Sequence, residues 1–169
     1  MAIRSEHAFT GLYRQQYDDL LRFVRRRAHP DAVDDIVAET FLAAWRRRAE
    51  LPHEVRPWLF RTARHLMLNA SRGDHRQDAL AVKIGTQGET TLEWSADDRI
   101  DVQSAWRALP AVDQEILALG IWEDLPQAEA AAVIGCSRAA YAMRLTRAKR
   151  HLADLLEAPT TATLFPVTR

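Results

Sequence analysis

The sequence predicts an all-α protein built as two small helical domains joined by a flexible linker, the C-terminal one a helix-turn-helix. Three observations carry this expectation. Apolar residues recur at three- and four-residue spacing up to about residue 72 and again from about residue 96 to 156. Between them, GDHRQDALAVKIGTQGETTLEWSADD (73–98) is polar, aperiodic and holds three of the six glycines. Near the C-terminus, LPQAEAAAVIGCSRAAYAMRLTRAKRHL (125–152) reads as an alanine-rich helix, a glycine-centred turn and a second helix rich in arginine. The boundaries follow as a first domain at 1–76, a linker at 77–97, a second domain at 98–157 and a loose tail at 158–169, where Pro and Thr replace periodicity.

The first domain reads as three helices. Phe9, Leu12, Tyr13, Leu20, Leu21, Phe23 and Val24 form an interrupted stripe that ends at His29-Pro30. Asp31 can cap the next helix, in which Val33, Ile36, Val37, Thr40, Phe41, Ala44 and Trp45 make the apolar stripe. Asp34, Asp35 and Glu39 share its polar side near the positive end of the helix dipole, and Arg46 to Arg48 sit at the negative end. After a short loop, a third helix begins at Pro57. Trp58, Leu59, Thr62, Ala63, Leu66 and Met67 are expected to face inward, leaving Arg61, Arg64, His65 and Arg72 outside.

In the second domain Ser95-x-x-Asp98 resembles a capping box, and helices are expected over 96–109, 111–122, 127–134 and 137–156. Pro126 suits a first helical position, having no N–H to leave unpaired. Ala130, Ala131 and Ile134 form a narrow stripe that lets another helix approach closely. Gly135 fits a left-handed C′ residue, Ser137 an N-cap, and Tyr141, Leu145, Ala148 and Leu152 a buried face. Such a unit can lay its second helix in the DNA major groove, N-terminal side chains on base edges and arginines near phosphates.

Composition narrows the function. No apolar run of about 18 residues exists for a membrane span, and the N-terminus lacks a signal peptide's apolar stretch, so the expectation is a cytoplasmic protein without membrane insertion. The single cysteine, Cys136, precludes an intramolecular disulfide and reads as a small core residue. The six histidines are scattered without ligand spacing, and no phosphate-binding glycine loop or nucleophile elbow appears. Neither an enzyme, a metal nor a cofactor is expected. The net charge of zero hides a segregation of +4 over 1–76, −8 over 77–134 and +4 over 135–169. Two basic ends around an acidic middle can touch a polyanion at two places, while the middle weakens binding by the isolated chain. The acidic stretches around Asp97–Asp101 and Glu123–Glu129 are candidates for repelling DNA or recruiting a partner.

Together the blocks DDIVAETFLAAWRR, PWLFRTARHLMLNASR, ALPAVDQEILAL and GCSRAAYAMRLTRAKRHL, in that order and spacing, resemble the extracytoplasmic-function class of the sigma-70 family over about residues 8–76 and 100–156. The resemblance implies a non-enzymatic role: binding core RNA polymerase, through its β′ clamp and β flap, and directing it to promoter DNA. It implies core-polymerase contacts at Asp34, Asp35, Glu39 and Leu42. It implies −10 element contacts at Trp58, Arg61, Arg64, His65, Asn69, Arg72 and Arg76, with a pocket for an unstacked base at the Leu51–Arg56 loop. Contacts to the −35 element are implied at Ser137, Arg138, Ala140, Tyr141, Arg144, Arg147 and Lys149. An anti-sigma factor is the further partner it suggests. Departures are Ala38 where the family usually has Gln, His65 in place of a common Asn, and Ala140-Tyr141-Ala142 where Thr, Val and Lys are frequent; base preference is therefore not transferable there. The rival expectation is a stand-alone two-domain helix-turn-helix regulator, which leaves DDIVAETFLAAWRR without a task.

Overall fold

A computed structural model describes residues 5–73 and 96–157, with side chains described for 5–70 and 102–157. Segment 74–95 and tail 158–169 lie outside the described residues, and with them fall the expectations for Arg76 and a capping Ser95. The side chains of Arg72 and Asp97–Asp101 lie outside the description as well. Among the described residues there are seven α-helices, one 3-10 turn and no strand.

Helix α1 (Glu6–Arg25) opens on Ser5, whose Oγ accepts the Ala8 N–H at 3.1 Å. It buries Leu20, Phe23 and Val24. The 3-10 turn Pro30–Ala32 then leads directly into α2 (Val33–Arg46). Here the sequence expectation is corrected. Asp31 does not cap α2: it lies within the 3-10 turn, whose Pro30 carbonyl accepts the Val33 N–H, and α2 starts without a side-chain cap. The buried stripe of α2 is Val33, Ile36, Val37, Thr40, Phe41 and Ala44, and the Thr40 hydroxyl donates to the Ile36 carbonyl at 2.7 Å.

Helix α3 (Val55–Gly73) starts two residues before Pro57, which still falls in the first turn, where a missing N–H leaves no bond unmade. Its core residues are Leu59, Phe60, Ala63 and Met67, so the stripe is rotated from the expected one. Phe60 takes the central place, stacked on Phe23 at 4.3 Å and 12°, while Trp58, Thr62 and Leu66 are only half-buried.

In the second unit α4 (Ala96–Ala108), α5 (Ala111–Ile121), α6 (Gln127–Ile134) and α7 (Arg138–Glu157) pack with α5 and α7 as the central pair. Gln114 is buried and its amide donates to the Trp106 and Leu109 carbonyls at 2.9 and 3.1 Å, tying α5 to the end of α4. Pro126 stands at the N-cap of α6 rather than at its first helical position. The expected turn forms: Gly135 is left-handed at φ 80°, the N–H groups of Gly135 and Cys136 both donate to the Ala131 carbonyl, and Ser137 Oγ accepts the Ala140 N–H at 3.1 Å. Tyr141 and Ala148 are buried in α7, with Leu145 and Leu152 packed beside them.

Candidate nucleic-acid interface

Three helix faces carry the residues singled out in the sequence. On α2, Asp34, Asp35, Ala38, Glu39 and Leu42 are all exposed, because the buried stripe occupies the opposite side. Leu42, on the same exposed side of α2, is 45% exposed.

On α3, Arg61, His65 and Asn69 recur every fourth residue and line one exposed face. Partial burial, then the charges of Arg61 and Arg64, hold the His65 imidazole below its ordinary pKa. A neutral ring at pH 7 offers base edges one donor and one acceptor. Arg64 faces elsewhere. Its Nε and Nη2 donate to the two oxygens of Glu115 on α5, at 2.7 and 3.0 Å.

That pair belongs to a larger contact between the two units. Helix α6 lies against α3, and the Arg61 guanidinium sits 3.6 Å from where a Cβ on Gly135 would stand. A cleft of about 320 Å³ separates Pro52 and Glu54 of the preceding loop, with Pro57, Trp58 and Arg61 of α3, from Ala128, Glu129 and Ala132 of α6. The loop to which the family resemblance assigns a base pocket is thus roofed by the second unit. Further along the junction Glu123 accepts from Arg27 at 2.8 Å and Arg26 at 3.0 Å. Glu123 and Arg27 are only 2% and 5% exposed, and Arg26 also lies 5.8 Å from the Trp122 ring centre. Burial holds the Arg27 pKa below its ordinary value, with Glu123 acting in the opposite direction.

On α7, Ser137, Arg138, Arg147 and Lys149 are exposed and Ala140 and Arg144 half-buried. Tyr141 is a correction. It is 1% exposed, its hydroxyl donates to the Ile116 carbonyl at 2.9 Å, and burial, then Cys136, pushes its pKa up to about 12. A side chain so placed belongs to the α5–α7 core and does not reach a base edge. The sequence reading missed Met143, which is 70% exposed. Ala139, Met143 and Arg147 share the outermost face of α7 at four-residue spacing, with Arg144 and Lys149 on its flanks. The available signal was an apolar residue off the 141, 145, 148, 152 stripe. His151 Nδ1 meets the buried Asp113 at 2.6 Å and pins α7 to α5 from behind.

Residues 12–77 match the family described as Sigma-70 region 2 and residues 99–152 match Sigma-70 region 4, most of the chain between them. RNA polymerase sigma factor NccH of Alcaligenes xylosoxydans xylosoxydans is 29% identical over 164 residues, covering 90% of this chain and 88% of that protein. The solved structure of CnrH in complex with the cytosolic domain of CnrY is similar at a TM-score of 0.62 and 28% identity, over 94% of each chain. The sigma factor RpoE in complex with the anti-sigma factor NepR from Bartonella quintana shares the fold, at a TM-score of 0.63 and 24% identity, over 89% of this chain and 98% of that one.

Proposed function

The chain belongs to the extracytoplasmic-function class of the sigma-70 family and acts as a promoter-directing sigma factor, and on that premise we propose how its surfaces divide the work. The acidic and apolar face of α2, Asp34, Asp35, Glu39 and Leu42, docks on the β′ clamp of core RNA polymerase. The α3 face, Trp58, Arg61, Arg64, His65 and Asn69, with Arg72 and Arg76 beyond it, engages the −10 element, the Leu51–Arg56 loop holding an unstacked base. The second unit docks on the β flap and lays α7 in the major groove at the −35 element, using Ser137, Arg138, Ala140, Arg144, Arg147 and Lys149. The setting is the cytoplasm, and an anti-sigma factor is the further partner, as NepR is for RpoE.

The observation that carries this reading is the pairing of two regional matches with an exposed basic face on α7, an exposed Arg61, His65 and Asn69 face on α3 and a separate acidic face on α2. Run-off transcription with core polymerase over a promoter library tests it. Initiation from a discrete promoter class, dependent on both elements, is expected; no initiation and no co-purification with core would overturn it.

Two results are expected at the −35 element. Arg147 occupies the outer face of α7, so Arg147→Ala should weaken binding by about 1–3 kcal/mol and relax preference at one base pair. A uniform loss across all sequences, with a shallower salt dependence, would place it on phosphate instead. Met143 offers a thioether rather than a hydrogen bond, which suits the 5-methyl group of thymine. Replacing −35 thymines by deoxyuridine should cost the wild-type holoenzyme about 0.8 kcal/mol at the contacted position, and Met143→Ser should abolish that difference. Equal sensitivity in both proteins would remove Met143 from readout.

A further inference from the structure

The loop read as the base pocket, Leu51–Arg56, ends on an arginine that reaches across to α1. We infer that Asp19 of α1 is a positioning residue for −10 recognition, holding Arg56 and with it the C-terminal end of the loop where an unstacked base is received. The inference rests on reading this loop as that pocket and names what sets its position.

The contact itself is the first support. Arg56 Nε lies 3.1 Å from Asp19 Oδ2, and the other oxygen of Asp19 accepts from Arg22. That nitrogen is shielded from water and has no hydrogen-bond partner, so among the described residues the ion pair with Asp19 is what compensates it. The Arg56 guanidinium carbon stands 5.2 Å from the centre of the Phe60 ring, which is stacked on Phe23 of α1 in the core. Arg56 is therefore held between a carboxylate and a buried aromatic ring. Among the described residues the loop makes one other ion pair, His53 with Glu54 at 3.1 Å, which joins two exposed neighbours and ties the loop to no other element.

Register is the second support. Asp19 meets Arg56 and Phe23 meets Phe60, four residues on along both helices, so α1 and α3 run side by side in the same direction. The Asp19 carboxylate thus reaches α3 at its first turn, where the loop enters the helix. The third support is electrostatic. A cation in the first turn of a helix is opposed by the macrodipole, and the first turn of α3 carries no acid to offset it. Asp19 supplies that negative charge from another helix, and Arg56 owes its place to α1 rather than to α3 itself. The two side chains are 29% and 31% exposed, and an ion pair so wetted adds little to global stability. What it supplies is geometry, because a site built on a loop is only as precise as the side chains that support it.

The test uses holoenzyme assembled from core polymerase and the full chain, with forked −10 probes built on the promoter class that run-off transcription selects and varied one base at a time. Asp19→Asn should lower discrimination against the wrong base at one −10 position by about tenfold, a modest displacement of the pocket wall being enough for that. Core affinity and affinity for a −35 duplex should stay within about twofold, and the melting temperature should barely move. Asp19→Glu, which keeps the carboxylate, should recover most of the discrimination. Arg56→Gln should reproduce the Asp19→Asn loss, and the two together should lose no more than either alone, since both break one link. Asp18→Asn, which removes a charge from the exposed neighbouring position, and Arg22→Gln, which takes away the other partner of Asp19, should each leave discrimination within about twofold of wild type. Unchanged discrimination in a folded Asp19→Asn holoenzyme, or losses that add in the double variant, would overturn the positioning role and leave the reading of the loop standing. Unchanged discrimination at every −10 position after Pro52→Gly, His53→Gly and Glu54→Gly together would overturn the reading of the loop and the positioning role with it.

Discussion

Tyr141→Ala is expected to destabilise the second helical unit by about 3–5 kcal/mol, the cost of emptying a large aromatic site in a close-packed core. The ring is 1% exposed and stands between α7 and α5, where its hydroxyl donates to the Ile116 carbonyl. Tyr141→Phe keeps the volume and removes that hydrogen bond, so its cost falls to about 1 kcal/mol and the −35 preference should be unchanged. Thermal denaturation combined with selection from a randomised −35 library separates the two roles. A shifted base preference in a Tyr141→Phe protein of wild-type stability would restore the residue to the DNA interface. The phenol also gives a pH signature. Its pKa is raised to about 12 from an unfolded value of 10, so the folded state holds its proton more tightly. The associated stability is fully present below pH 10 and is lost as pH rises from 10 through about 12. Tyr141→Phe should flatten that part of the alkaline unfolding curve.

Tyr141 also shows where sequence reasoning reaches and where it stops. Helical spacing placed it on the buried stripe with Leu145, Ala148 and Leu152, while the family resemblance placed it among the base-reading residues, and both could not hold. The rotation of α7 decides, and it brings Met143 to the outside instead. Local signals served well where one residue's backbone chemistry is decisive, as with Gly135 in its left-handed turn and Ser137 at its N-cap. They failed where two short elements compete, as when the Pro30 turn took Asp31 from the N-terminus of α2. On α3 the stripe shifted because Phe60 has an aromatic partner, Phe23, on another helix, which periodicity within α3 does not report.

The junction between the units was the least legible feature. Charge segregation showed that acidic and basic segments alternate, and this suggested an acidic middle that repels DNA. Arg64–Glu115 and Arg27–Glu123 instead join residues 51 and 96 positions apart, and no local pattern encodes which carboxylate meets which arginine. The acidic middle therefore acts at close range on particular guanidinium groups as well as through its overall field.

The α2 face offers the opposite case, in which exposure itself is the signal. Reversing Asp35 and Glu39 together, Asp35→Arg with Glu39→Arg, is expected to weaken binding to core polymerase by at least about 3 kcal/mol, roughly a hundredfold or more. Among the described residues no ion pair engages either carboxylate, so the reversal breaks no salt bridge within the fold. Asp35 lies in the first turn of α2, and the lost dipole interaction there costs about 0.3–1 kcal/mol. Glu39, further along the helix, loses less. Melting temperature should consequently fall little while co-purification with core and run-off transcription collapse. The two measurements separate the alternatives: a carboxylate pair kept only for helix stability would lower the melting temperature and leave core affinity within about twofold. Leu42, three residues beyond Glu39 and 45% exposed, supplies the internal control. Leu42→Ala removes apolar contact without changing charge, so its loss of core affinity should persist at high salt, whereas attraction through Asp35 and Glu39 in the wild-type chain should weaken as salt screens it.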